Sequence, residues 1–318
     1  MSLTAQPDSS VMTRIIFAIA DRFFLLRPLV LVPAVTFFLL GYRDAREGAE
    51  AGQGPFLLAA VCYALLMGSV YVVNQIADIE SDKANEKLFV LHQGMVSSGE
   101  AIALAVVLSV VSMAVALTIG GRTALYFGLS LLLGLAYSVP PVALKRRFPF
   151  DLLANALGYG VLAYASGWSV VEGSGHPEVM RAVPFALCVG GVFVLTALAD
   201  REGDESSGFK STGVVLTPIQ CAILALFLVA LALPVALLVR NQIAAAGSIV
   251  SLPLFAYAAL RVGPRAVKIA YRCGSAIFVL IVGLLHPVFL VVVLVVLGLA
   301  RLYYSRRFAL NYPSIAGR

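Results

Sequence analysis

A succession of apolar runs sets the terms for this chain: residues 23–41, 56–77, 101–119, 122–138, 152–171, 182–199, 215–239, 243–260 and 274–304 are poor in charge and bounded by polar breaks. A hydrocarbon layer about 30 Å thick needs about 20 such residues per helical crossing. None of the runs alternates apolar and polar residues, and backbone N–H and C=O groups in lipid must be satisfied within helices or a closed barrel, so all nine read as helices. The sequence therefore predicts an all-α integral membrane protein, a bundle of about nine transmembrane helices forming one domain over residues 1–318. A polar segment, 1–22, precedes the first run, and a short tail, 305–318, follows the last. Of the 318 residues 60% are hydrophobic and 13% charged, against roughly 25% charged in an ordinary soluble domain, which leaves little material for a water-facing unit. The final run is longer than one crossing requires and carries His286-Pro287 near its middle, so it reads either as one kinked helix or as two short ones.

Met1 to Ser10 is polar and the first run is long enough to remain as a span, so no removable leader is expected. Cys62, Cys188, Cys221 and Cys273 fall in or beside apolar runs without a CxxC pair, and read as small buried hydrophobes. The net charge of +6 does not indicate a nucleic-acid partner, because Lys and Arg are spread over short loops rather than gathered in a basic stripe. Their distribution is a topology signal. With a cytoplasmic N-terminus the outer connections hold Arg43, Arg46, Arg122, Arg181 and Arg240, while the inner ones hold the larger set, among them Lys83, Lys87, Lys145, Arg146, Arg147 and Lys210. This predicts a multi-pass protein of the cell's inner membrane with its N-terminus inside. Nine crossings leave Arg301, Arg306, Arg307 and Arg318 outside; a tenth at His286-Pro287 returns them to the inner face.

Two polar loops on the inner face begin with acidic residues at helical spacing. In Asn74-Gln-Ile-Ala-Asp78-Ile-Glu80-Ser-Asp82, residues Asn74, Asp78 and Asp82 stand four apart and share one helix face. Like charges so placed repel, and a charge costs about 2.5–3.5 kcal/mol at mid-bilayer. A bound cation turns that repulsion into a site, since Mg²⁺ takes one or two carboxylates and completes its octahedron with water and phosphate oxygens. The second loop opens Asp200-Arg-Glu202-Gly-Asp204-Glu205, with Asp200 and Asp204 again one turn apart, and the two acidic ends suggest a weak internal repeat. Together they are suited to hold a diphosphate between metal ions. Neither fits a calcium loop, and His92, His176 and His286 are too scattered to form a metal centre. A third stretch, Tyr137-Ser138 to Lys145-Arg146-Arg147, places three consecutive cations on the same face and reads as a diphosphate clamp, to which Lys83, Lys87 and Lys210 add charge.

The motifs and their order resemble the UbiA superfamily of intramembrane prenyltransferases. Asn74, Asp78 and Asp82 match that family's NxxxDxxxD on the second helix, and Asp200 and Asp204 its DxxxD on the sixth. The Tyr137-Ser138 to Lys145-Arg146 stretch is similar to its loop after the fourth helix, Arg27-Pro28 to its Arg-Pro pair, and Gly94 with Ser97 to its small residues after the first motif. Where many members have a further Arg-Pro pair, this chain has Asn85-Glu86-Lys87-Leu88, with Lys87 as a point charge in place of an arginine.

The resemblance implies an isoprenyl diphosphate held head-first at the cytoplasmic mouth, with its tail among the helices. Mg²⁺ on Asp78, Asp82, Asp200 and Asp204 then stabilises the leaving diphosphate, with Asn74, Lys87, Tyr137, Lys145, Arg146 and Lys210 around it. The implied acceptor is hydrophobic or aromatic, with Arg27 and the fifth-span residues Asn155, Tyr159 and Tyr164 as the side chains to face it. Acidic pairs on two similar halves also suit a cation-coupled transporter. Depth separates the two readings, since a transporter wants its carboxylates near mid-bilayer and these sit at helix ends.

Overall fold

The computed structural model describes residues 11–47, 55–79, 89–310 and 312. Helix α1 is Val11–Leu25, α2 Pro28–Glu47, α3 Phe56–Ala77, α4 Phe89–His92, α5 Ser98–Ile119 and α6 Gly121–Ser138. Helix α7 runs unbroken through Phe150–Asn155, the π-helical Ala156–Leu162 and Ala163–Ser169. There follow α8 Val179–Ala199, α9 Arg201–Ser206, α10 Thr212–Val215, α11 Pro218–Leu238, α12 Gln242–Arg261, α13 Pro264–Leu285 and α14 Pro287–Phe308. Among the described residues, eight helices are long and apolar enough to cross a membrane: α2, α3, α5, α8, α11, α12, α13 and α14. Helices α6 and α7 traverse the bundle beside them.

Local chemistry sets the boundaries. Ser97 and Glu100 form a reciprocal capping box at the start of α5, and Thr217 with Gln220 does the same for α11, satisfying backbone donors that a helix start leaves free. Proline occupies the first turn of α11, α13 and α14, where its missing N–H costs nothing. Helix α2 is central, with 61% of its apolar window buried, while α5 and α14, each 17% buried, are peripheral and turn rows of Val and Leu outward.

Two chain breaks refine the sequence reading. The polar segment 1–22 runs into a helix, Val11–Leu25; two residues on, Arg27 with φ 54° turns the chain, and Pro28 then opens the first span. The run 274–304 belongs to two helices, because His286 caps the end of α13 and Pro287 starts α14. Gly283 faces Leu290 across this turn, so the helices run in opposite directions. At its other end α14 returns to α1: Tyr303 donates to Asp21 at 2.6 Å and Arg307 pairs with the same carboxylate at 3.0 Å. Phe24 stacks on Tyr303 with centroids 4.0 Å apart. The cysteines depart from the expectation at one position: Cys62, Cys188 and Cys221 are buried, but Cys273 is exposed on α13.

The tightest packing is between α2 and α7. A Cβ on Gly41 would lie 1.8 Å from the Tyr164 carbonyl oxygen, and one on Gly167 would lie 1.8 Å from that of Phe38. Glycine here lets two backbones touch, as in small-residue membrane interfaces. We therefore expect Gly41→Ala to lower stability by roughly 1–3 kcal/mol, read as an earlier thermal transition in detergent, whereas Gly298→Ala, open to its surroundings, should leave the transition where it is.

The turn at His286 generates a topology prediction. In a background without the native cysteines, single cysteines at Ser97 and Ser305 should react with an impermeant maleimide from one and the same face of the membrane. Labelling from opposite faces would show that 264–308 crosses once.

Candidate active site

Both acidic motifs lie where helices stop. Asp78 caps the end of α3, its N–H bonded to the Gln75 carbonyl, and Asp200 caps α8 through the Thr196 carbonyl. Asp204 follows one turn later on α9, its N–H on the Asp200 carbonyl at 3.0 Å. Asp78 and Asp200 thus stand at the negative ends of two helix dipoles, a position that disfavours carboxylates and calls for positive charge nearby.

Part of that charge comes from Lys145. Its ammonium donates to both oxygens of Asp78, at 2.5 and 2.6 Å, with the lysine side chain 8% exposed and the carboxylate 19%. Lys145 sits in the single 3₁₀ turn Leu144–Arg146 after α6, entered through Ala143 with φ 38°. That turn is sewn to the second acidic loop: Lys210 N–H donates to the Arg146 carbonyl at 3.0 Å and Phe148 N–H to the Lys210 carbonyl at 2.7 Å. The Arg146 guanidinium lies 4.7 Å over the Phe209 ring. Asn74 donates to the Ser138 hydroxyl at 3.0 Å, tying α3 to the end of α6.

These elements surround one cavity of about 700 Å³. Asn74, Asp78, Asp200, Asp204, Lys145 and Tyr137 line its charged end, and Arg27, Asn155 and Tyr159 line its wall further in. The π-helical segment of α7 carries Gly158 and Tyr159 to that wall, where the Tyr159 and Tyr71 hydroxyls meet at 2.5 Å. Arg146 and Lys210 are not among the lining residues; the first stacks behind the wall and the second is exposed. Asp82 and Lys87 lie outside the described residues. Tyr164 does not face the cavity: it is buried toward the opposite end of α2, where its hydroxyl donates to Asp44 at 2.8 Å and Arg181 approaches the same carboxylate at 3.5 Å.

Four contributors escaped the sequence reading. Asp151, fully buried, accepts the Thr212 N–H at 2.6 Å and the Thr212 hydroxyl at 2.7 Å, fixing the second acidic loop to the start of α7. Ser211 donates to Asp204 at 2.5 Å. Phe24 and Tyr304, from the two ends of the chain, complete the wall near Arg27. Asp151 stands at the very edge of the apolar run 152–171, and no spacing linked it to Thr212.

A divalent cation suits this donor set. Asp78, Asp200 and Asp204 offer oxygen ligands alone, as Mg²⁺ prefers. Among the described residues no three His, Cys, Asp or Glu form a ready-made cage; a Mg²⁺ ion held here would complete its shell with water and substrate oxygens.

Removing Asp151 strands two buried donors, at a cost of roughly 1–3 kcal/mol. Asp151→Leu should therefore speed proteolytic cleavage between Ser207 and Gly213 in detergent while the spans stay protected; cleavage at the wild-type rate would show that the loop is held by other contacts.

Solved structures share this architecture. A UbiA homolog from Archaeoglobus fulgidus bound to GPP and Mg²⁺ superposes with a TM-score of 0.67 at 21% identity, covering 81% of this chain and 96% of that one. Bacteriochlorophyll synthase 34 kDa chain of Chloroflexus aurantiacus is 29% identical over 47% of this chain and 48% of its own length. Homogentisate phytyltransferase of Synechocystis is 41% identical over 29% of each. The chain thus spans less than half the length of these two curated relatives. The model of the UbiA prenyltransferase family, by contrast, matches residues 30–265, taking in the ends of α3 and α8 and the Lys145 turn, and the chain belongs to that family.

Proposed function

We propose that this protein is a Mg²⁺-dependent prenyltransferase of the inner membrane, working as a single domain, which moves an isoprenyl group from a prenyl diphosphate to a lipophilic or aromatic acceptor. The observation that carries this reading is the convergence of Asp78, Asp200, Asp204 and Lys145 on one cavity that continues inward between apolar helices. Asp78, Asp200 and Asp204, with Asp82 from the same motif, would hold the cation, assisted by Asn74. What a bound cation supplies there is neutralisation of the negative charge gathering on the leaving diphosphate.

The chain's own groups supply the remainder. The bond between the allylic carbon and the diphosphate oxygen breaks with its electron pair leaving on the diphosphate; Lys145, held by its turn, provides preorganised positive charge at that oxygen. Tyr137 and Arg146 order the anion's surroundings, and Lys87 and Lys210 draw it to the mouth. The acceptor's nucleophilic atom then forms its bond to the allylic carbon and releases a proton toward the aqueous mouth. Arg27, Asn155 and Tyr159 orient the acceptor. Helices on all sides keep water from the cation-like carbon, which water would otherwise capture. The excess of Lys and Arg on alternate connections supports a cytoplasmic mouth. A transporter is disfavoured, because the carboxylates stand at helix ends rather than at mid-bilayer.

The test is mass spectrometry of lipid extracts after incubating purified protein with Mg²⁺, geranylgeranyl diphosphate and a panel of acceptors. A prenylated product is expected with Mg²⁺ or Mn²⁺, lost in excess EDTA, and reduced about a hundredfold or more in Asp78→Ala and Asp200→Ala. Undiminished turnover in EDTA would sink the metal-dependent reading.

A further inference from the structure

A second, smaller pocket of about 200 Å³ opens off the main cavity, sharing Asn155, Tyr159, Phe193 and Thr196 with it. We infer that this pocket receives the far end of the prenyl tail and that Phe278, braced by Phe37, is the floor that limits how long a tail it accepts. The inference rests on the prenyltransferase reading and adds to it a residue that selects the donor.

The route follows α8. Thr196 lies one turn inward of Asp200, Phe193 and Val192 a second turn, and Cys188 about 18 Å from Asp200 along the helix. A tail whose diphosphate sits at the mouth is thereby led past Tyr159 into the pocket. The surroundings there are Val192, Val229 and Phe255, with no charged side chain in the lining. Its two serines have no proton left to donate to a guest, since Ser251 donates to the Gly247 carbonyl at 2.7 Å and Ser275 to that of Arg272 at 2.9 Å, each within its own helix. Below Asn155, Tyr159 and Thr196, which line the part shared with the main cavity, a polar ring would find little to replace its hydrogen bonds to water; a branched hydrocarbon loses none.

The inner end is closed by aromatic rings. Phe37 and Phe278, 5% and 4% exposed, have centroids 5.7 Å apart, and both pack on Phe185, at 5.7 and 5.5 Å. Phe278 has no room to swing away. Behind it stands Gly247 of α12, where a Cβ would lie 2.3 Å from the ring. One turn nearer the mouth, Gly274 keeps the pocket open, since a Cβ there would press on Phe255 at 2.9 Å. The floor is thus rigid while the shaft above it is clear.

Purified protein with Mg²⁺ and one accepted prenyl acceptor is given equal concentrations of geranyl, farnesyl and geranylgeranyl diphosphate in one reaction, and the products are counted by mass spectrometry. Phe278→Ala should shift the product ratio about tenfold toward the longest donor, as removal of a pocket wall does in other hydrophobic sites. Phe278→Leu should shift it less in the same direction, and Cys188→Leu, which fills the shaft, should shift it toward the shortest. Because the donors compete in one tube, the ratio does not depend on how much of a variant is folded. An active Phe278→Ala enzyme with the wild-type ratio overturns the floor and leaves the prenyltransferase reading standing; wild-type protein that prenylates nothing with any donor removes both.

Discussion

The high cost of charge in an apolar layer is the constraint from which the rest of this structure follows. A carboxylate at mid-bilayer costs about 2.5–3.5 kcal/mol, so Asp78 and Asp200 occur where α3 and α8 run out and water begins. That position adds a second cost, the negative end of each helix dipole. Lys145 offsets part of it, and to do so must be carried to Asp78 by a turn outside the helices. The turn is held in place by the bridge between Arg147 and Lys210 and by the Asp151 anchor on Thr212. The loops at this end therefore form one connected unit, so the position of each acidic motif depends on residues of the other half.

The opposite end shows what a charge does when it is structural. Asp44, 4% exposed, is met by the Tyr164 hydroxyl and by Arg181, and its charge is answered locally. The cavity at the mouth is different in balance: its lining contains Asp78, Asp151, Asp200 and Asp204 against Lys145 and Arg27. An excess of carboxylates facing a large enclosed space has no stabilising purpose by itself and is the arrangement a multivalent cation completes.

Much of the architecture was legible because the bilayer imposes a simple rule. Runs of about 20 apolar residues became helices, and the two motifs fell at the ends of the second and sixth spans as their spacing implied. Residues at four-residue spacing kept a common face, which is why Asn74 and Asp78 reached the same cavity. What the pattern left open or missed lay at breaks and at lone polar residues. A run such as 274–304 conceals a turn, since a hairpin within lipid needs only His286 and Pro287 to divide it. Asp151 and Tyr164 each stand alone in an apolar context, and their partners lie 61 and 120 residues away. Side-chain direction inside α7 was beyond any 3.6-residue pattern, because the π-helical turns at 156–162 rotate the residues that follow relative to a regular helix.

The two chain ends meet beside the cavity. Asp21 gathers Tyr303 and Arg307, and the stacked pair Phe24 and Tyr303 joins α1 to α14 at the end of the bundle where the mouth opens. Phe24 and Tyr304 then face the cavity on the side of Arg27. Neither residue falls within 30–265, the part of the chain that the family model matches. The two acidic motifs and the Lys145 turn thus lie within the shared part of the chain, whereas this wall comes from segments outside it. The charged end of the cavity is accordingly built from the part common to the family, whereas the shape of the wall beside Arg27 is set by this chain's own aromatic residues, Phe24 and Tyr304.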